Sequence, residues 1–363
     1  MNAKVAVTGA GGYIGSVMVG ELLRNGYKVR AIDAFYFGDL ALSKYDGHPK
    51  LEIVKQDIRL IDHHAYDDCD YAIDLAALSN DPSGDLDPEL TRSINEKGRI
   101  RAAMAAKRAG VRRYLFASSC AVYGAGQDMF LTEDAVLRPL TIYAQTCARA
   151  EEAVLALNTG HFAATALRNA TVFGLSPRMR FDLVVNQMTF DALDRGRITV
   201  GGDGSQWRPV VHVRDVAAAF LSALRAPSGV VAGAAFNIGW DNRQIVDIAL
   251  AVKNTVTKAS EIEFMPCGLD RRDYHVSFAK ARESFGFRAR HRIEDAVIEI
   301  QNAIDAKLLR NTAVCNTVKW YKMLLADPLQ RLSLPIPAEE AIAATPGVFP
   351  RPAFEAGAEA ARA

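Results

Sequence analysis

The chain has 363 residues, 50% of them hydrophobic and 23% charged, a globular composition that excludes fibrous, disordered and membrane-embedded classes. With 43 basic against 42 acidic residues the net charge is +1, so no overall field draws the protein to nucleic acid or an anionic membrane, and any phosphate must be held locally. Five cysteines (Cys69, Cys120, Cys147, Cys267, Cys315), odd in number and without a CxxC pair, point to neither a disulfide framework nor a zinc site.

The N-terminus enters a strand at Val5-Ala6-Val7 without a leader pattern, and no apolar run approaches the ~20 residues of a spanning helix, so a cytoplasmic protein is expected. Short β-branched or apolar runs at 4–8, 28–33, 51–55, 71–75, 114–117 and 162–168 read as strands, separated by helical stretches such as 13–25, 90–109 and 143–157. Asn25-Gly26, Gly110 and Gly160 each follow a helical run where a left-handed C-cap is wanted. Strands of this kind are buried on both faces, and the alternation predicts an α/β, Rossmann-type doubly wound parallel sheet over 1–174, with a later return near 210–240. After Gly174 the alternation breaks up into a helix at 181–194, a glycine-rich turn at 201–204 and shorter elements, read as a smaller mixed α/β substrate lobe over 175–330. The tail at 331–363 holds Pro335, Pro337, Pro346, Pro350, Pro352 and many alanines, a composition that orders only by packing on something; it reads as disordered or as a subunit-crossing arm.

Between the first strand and first helix stands Gly9-Ala10-Gly11-Gly12-Tyr13-Ile14-Gly15. Gly9 suits a tight turn, Gly12 lets the backbone approach a pyrophosphate, and Gly15 allows close helix–strand contact, with the anion on the helix N-terminus. The second strand closes on Asp33, placed to accept from adenosine ribose hydroxyls and to repel a 2′-phosphate; Ala34, Phe35 and Tyr36 beside it include no arginine. NAD is therefore expected over NADP. Asp57-Ile58 after the third strand would lie by the adenine, and Leu75-Ala76-Ala77 after the fourth by the pyrophosphate and ribose.

Seven motifs in order then resemble the extended short-chain dehydrogenase/reductase family, in particular its NAD-dependent nucleotide-sugar epimerases and dehydratases. They are the glycine string, Asp57-Ile58-Arg59, Leu75-Ala76-Ala77, Asn95, Ser118 to Gly124, Tyr143 opening a helix, and Arg208 to Asp215, within a resemblance that spans about residues 1–325. The resemblance implies that Asn95 and Tyr143 join the cofactor site, and that Ser119 and Tyr143 act together on a sugar hydroxyl. It also implies a lysine one helical turn after Tyr143, whose charge favours the tyrosinate. Here that position is Cys147, a neutral thiol; Arg149 does not replace the lysine, being about 240° around the helix from Tyr143.

Family members that eliminate water or decarboxylate carry acids after the serine, where this chain has Cys120-Ala121. An epimerase-type enzyme is the leading expectation. The alternatives are a nucleotide-sugar dehydrogenase, reductase or dehydratase, or a catalytically impaired homologue that binds NAD or a sugar nucleotide. For the nucleotide-sugar substrate the resemblance implies contacts from Ser79, Ser119, Thr171, Arg178, Arg180, Arg208 and Arg272, with Thr171 standing where an asparagine is usual and Cys267 where a second diphosphate arginine is usual. It implies a homodimer through a four-helix bundle of helices 90–109 and 143–157, whose alanines (Ala102, Ala103, Ala105, Ala106; Ala148, Ala150, Ala153, Ala156) read as a close-approach surface. No metal is expected: His63-His64, His212 and His275 lack ligand spacing.

Overall fold

The computed structural model describes residues 3–124, 130–266 and 273–326. Cys267, Arg271, Arg272 and the whole 331–363 tail lie outside the described residues. Seven strands form one parallel sheet: β1 (Lys4–Thr8), β2 (Lys28–Asp33), β3 (Leu51–Lys55), β4 (Tyr71–Asp74), β5 (Arg113–Ser119), β6 (Ala163–Asn169) and β7 (Ala234–Ile238). Their spatial order is β7-β6-β5-β4-β1-β2-β3, so the chain starts in the middle, winds out through β3 and crosses back through β4. That reversal opens a crevice at the carboxyl ends of β1 and β4.

Alternation along β1 shows why both helix layers are needed. Val5 and Val7 join one apolar cluster with Met18, Leu22 and Phe220, while Ala6 joins another with Tyr114, Phe116 and Ala150 on the opposite face. The edge strand β3 departs from the expectation of burial on both faces: Ile53 is 44% exposed, since only one strand neighbours it. Helix α1 (Tyr13–Arg24) starts directly at the glycine turn and ends before Gly26, whose φ of +83° makes the left-handed turn. Gly110 does the same after α2 (Arg99–Arg108), with φ of +84°.

Two sequence boundaries are corrected. The expected 90–109 helix begins at Pro88, capped by the Asp87 carboxylate accepting from Leu90 N at 2.9 Å, and carries a π-helical turn (Ser93–Gly98) before α2. Helix α3 (Ile142–Ala156) starts where Thr141 Oγ1 accepts from Ala144 N, and Gly160 is not left-handed, because the chain reverses instead through the Thr159–Phe162 bridge. Of the eight alanines read as a docking surface, all but Ala156 are buried within this chain: they pack on its own sheet.

From Thr171 onward the chain builds a smaller group of elements with its own core, to which neither β7 nor the C-terminal helix belongs. Strands Thr171–Phe173, Trp207–His212 and Asp241–Gln244 make a small mixed sheet, and helices Val184–Arg195, Ile245–Thr255 and Ile293–Asp305 enclose a separate core of Val185, Met188, Ile198, Ile248 and Val297. The helix expected at 181–194 starts three residues later and ends at left-handed Gly196. Helix α4 (Thr317–Ala326) does not stay with that group: Tyr321 and Leu324 pack with Ile58, Leu78 and Ile94. Among the described residues no helix is long and apolar enough to cross a membrane, and no group of three or more His, Cys, Asp or Glu could hold a metal.

Candidate active site

One cleft of about 510 Å³ runs along the carboxyl ends of the strands, from the glycine turn and Asp33 at one end to Ser119 and Tyr143 at the other. Gly9, with φ of +70°, turns the chain out of β1, and a Cβ there would meet Leu75 and Ala76 backbone at 2.6 Å. At Gly15 a Cβ would lie 2.0 Å from the Gly9 carbonyl oxygen, so the helix start fits against the turn only without a side chain. Gly9, Gly12, Tyr13, Ile14 and Gly15 all line the cleft, and the N-terminus of α1 faces it with its unpaired amides and positive dipole end. The Tyr13 ring points elsewhere, its hydroxyl donating to Gly174 O at 2.5 Å. This cradle fits a dinucleotide pyrophosphate.

Asp33 is aimed by backbone: its Oδ2 accepts from Gly11 N at 2.9 Å and its Oδ1 from Phe35 N at 2.7 Å. Burial raises its pKa, while those two amides and Arg178 work against the rise. Asp57 also lines the cleft; burial opposes its charge, but Arg59 holds it through Nη2 at 2.7 Å and lowers its pKa. Ile58, Leu75, Ala76 and Ala77 lie along the same wall.

Sequence reasoning missed what closes this end. Arg178, which the resemblance implies as a substrate contact, lines the cleft 3.6 Å from the Phe37 ring centroid, with both terminal nitrogens donating to Thr317 Oγ1 at 3.2 Å. It is 6% exposed, forms no ion pair among the described residues, and has a buried, unpartnered Nε. Burial, then neighbouring Arg180, lowers its pKa to about 10. Alongside, α4 covers the wall: Trp320 Nε1 donates to Tyr36 O at 2.7 Å, and the Tyr321 ring meets Phe37 edge-on at 5.2 Å. The amphipathic run 317–326 is the only local signal for this contact, and it does not say where the helix docks.

At the other end Ser119 closes β5 and Tyr143 opens α3, and both side chains line the cleft; Ser119 Oγ also accepts from Ala121 N at 3.2 Å. Burial, then Cys147, pushes the Tyr143 pKa well above its ordinary value, and Asp81 adds to this; the neighbouring Ser119 hydroxyl and Arg99 pull the other way. Cys147 lies one turn behind Tyr143 and is 1% exposed; it does not line the cleft, and burial pushes its thiol up to about 11. Position 147, where the resemblance implies a lysine, thus holds a buried thiol behind Tyr143. Cys120 is also withdrawn, its thiol donating to Arg168 O at 3.3 Å.

Ser79, Thr171, Arg180 and Arg208 line the middle of the cleft. Arg180 is already engaged: Nε and Nη2 fork onto Asp182 at 3.0 and 2.9 Å, and Nη1 donates to Ser79 Oγ at 2.8 Å. Arg208, on strand Trp207–His212, donates from Nη1 to its neighbour's carbonyl at 2.7 Å. Asn95, which the resemblance implies at the cofactor site, is not among the residues that line the cleft. It is fully buried off the cleft, with Oδ1 accepting from Leu78 N at 2.8 Å and Nδ2 donating to Leu78 O at 2.9 Å. Arg272 lies outside the described residues.

Fold and site together define a dinucleotide-binding α/β protein with a Ser–Tyr pair at the far end of its cofactor cleft. The chain belongs to the NAD dependent epimerase/dehydratase family, which it matches over residues 5–239. It is similar to a UDP-glucose 4-epimerase of Mycolicibacterium smegmatis, with 31% identity over 294 residues, covering 78% of this chain and 93% of that one. A UDP-glucuronic acid decarboxylase 1 of Danio rerio is 26% identical over 271 residues, covering 72% of this chain and 63% of that one. Among solved structures, MoeE5 in complex with UDP-glucose and NAD matches with a TM-score of 0.73 and 26% identity over 85% of this chain and 100% of that one. The fold is also that of a UDP-glucuronic acid 4-epimerase from Bacillus cereus, at a TM-score of 0.75 and 23% identity over 84% and 99% of the two chains.

Proposed function

We propose that the protein is an NAD-dependent nucleotide-sugar epimerase-type enzyme. The observation that carries this reading is the Ser119–Tyr143 pair standing in the same cleft as the glycine cradle and Asp33. When bound, NAD supplies a reversible hydride acceptor. The α1 amides hold its pyrophosphate, and Asp33 accepts from the adenosine ribose hydroxyls. Arg178, close enough to act on the Asp33 charge, adds a cation at that end of the cofactor rather than at the substrate. Ser119 orients a sugar hydroxyl, Tyr143 takes its proton and returns it, and Arg208 with Thr171 faces the diphosphate side.

Epimerisation is favoured over elimination because Ala121, the cleft-lining residue two after Ser119, is apolar and Cys120 is buried away. A homodimer through the outer faces of α2 and α3 belongs to the same reading, with Met104, Lys107 and Leu155, partly exposed, in place of the buried alanines. The test is to incubate the purified protein with NAD and UDP-glucose, UDP-galactose or UDP-glucuronic acid, and separate the sugar nucleotides. Conversion to the epimer without net NADH is expected, from a particle of twice 39.5 kDa by light scattering. Net NADH release would replace epimerase with dehydrogenase. Tight NAD binding with no conversion of any sugar nucleotide would leave a binding protein in its place.

A further inference from the structure

Tyr143 is the proton-transferring group of the proposed reaction, yet its own helix offers it a neutral thiol one turn on. Arg99, at the head of α2, lines the same cleft and is 1% exposed, among the largest fully buried side chains of the chain. Three fixed acceptors set its plane. Nε donates to Asp74 Oδ2 at 2.9 Å, and Nη2 donates to Ala117 O at 2.8 Å and to Asp74 O at 3.2 Å. The guanidinium lies 3.7 Å from the Phe116 ring centroid, so β4, β5 and α2 together hold it still.

Its ion-pair partner is also claimed from the other side. Asp74 Oδ1 accepts from Thr8 Oγ1 at 2.7 Å and from Ala76 N at 3.2 Å, which turns that carboxylate toward β1. The groups acting on Tyr143 are Ser119 from β5, Cys147 from α3, Asp81 from the short helix Asp81–Gly84, and Arg99 from α2. Of these, Arg99 is the cation, and it is likewise the largest influence opposing burial at Cys147. A guanidinium keeps its charge at every working pH, and in a desolvated site a fixed charge acts over several ångströms.

We infer that Arg99 is a positioning residue that supplies Tyr143 with the positive charge missing from position 147, so that the proton step runs without a lysine. This rests on the epimerase-type reading for its consequence in turnover, but not for its electrostatic content.

The experiment places a ring-fluorinated tyrosine at position 143, whose greater acidity brings ionisation into an accessible range, and follows its absorbance against pH in protein without substrate. Arg99→Met alone would leave Asp74 buried and unpaired, so the variant is Arg99→Met with Asp74→Asn, which removes both charges. The expected result is an upward move of the ring's titration by about one pH unit or more, a tenfold change in its ionisation constant. Arg99→Lys should hold it near the parent, and Cys147→Lys added to the charge-free pair should bring it back down. In turnover, kcat at pH 8 should fall at least about tenfold in the charge-free pair with KM unchanged, and its rise with pH should shift to higher pH.

An unmoved titration in the charge-free pair overturns the inference whatever the activity. A parent that converts no sugar nucleotide while the titration moves as stated would overturn the proposed function and leave the charge relation between Arg99 and Tyr143 standing.

Discussion

At the glycine-turn end of the cleft, recognition is carried by main chain: Gly9 and Gly15 let the turn and α1 come together, the amides of α1 face the anion site, and even Asp33 is aimed by two backbone N–H groups. At the Tyr143 end the cleft is lined by side chains drawn from β5, α3 and α2, with Arg99 held by Asp74 of β4. The difference teaches how each end tolerates change. A backbone site tolerates little change in the stretch that forms it, because an added Cβ collides with the turn itself, as at Gly15, or with the backbone after the neighbouring strand β4, as at Gly9. A side-chain charge can come from any element that reaches the spot, so the proposed charge of Arg99 stands on a different helix from position 147.

The largest effect should come from breaking the side-chain end. Tyr143→Phe removes the proton acceptor while keeping the ring, and should lower kcat by roughly 10² to 10⁴ with NAD affinity unchanged, as judged by calorimetry beside steady-state rates. If the variant kept parental turnover, the proton role of Tyr143 would be lost.

The opposite split is expected from Gly15→Ala. With the new Cβ placed 2.0 Å from Gly9 O, backbone must shift, at a cost on the order of 1–3 kcal/mol to the folded protein. Dinucleotide affinity should fall about tenfold or more, a loss of about 1.4 kcal/mol, visible together as a lower melting temperature and weaker NAD binding. Parental affinity in this variant would mean that the cradle is not where the pyrophosphate lies.

The smallest effect concerns Asp33. NAD should bind at least about tenfold tighter than NADP near neutral pH, and Arg178→Met should widen that gap, since the guanidinium offsets part of the carboxylate's repulsion of a 2′-phosphate. Because burial raises the Asp33 pKa, the carboxylate loses its charge earlier on acidification than an ordinary aspartate, so the preference should narrow as the pH falls. Equal affinities at neutral pH would sink the assignment of Asp33.

Much of the cofactor end could be read in advance for a physical reason. The strand, glycine turn and helix are consecutive in the chain; Gly15 is demanded by the Gly9 carbonyl within the same turn, and Gly9 by its left-handed φ as well as by the Leu75–Ala76 backbone. The Ser119 and Tyr143 positions were legible through motif order. Asn95 was legible as a motif, but nothing in the sequence tells whether a buried amide turns toward a cleft or, as here, toward the Leu78 backbone.

The sequence by itself determined the parallel α/β architecture, the glycine cradle with its acid, and the absence of a lysine beside Tyr143. These follow from short-range periodicity, from the φ and space that only glycine allows, and from residue identity. Only the tertiary structure decided that Arg178 lies at the Asp33 end, that α4 covers the wall at Tyr36 and Phe37, and that Arg99 lines the same cleft as the Ser–Tyr pair. Thr317 meets Arg178 across 139 positions and Trp320 meets Tyr36 across 284. Long side chains reach several ångströms from wherever their backbone is fixed, so their partners are set by how the elements pack, and the order of residues along the chain carries no record of it.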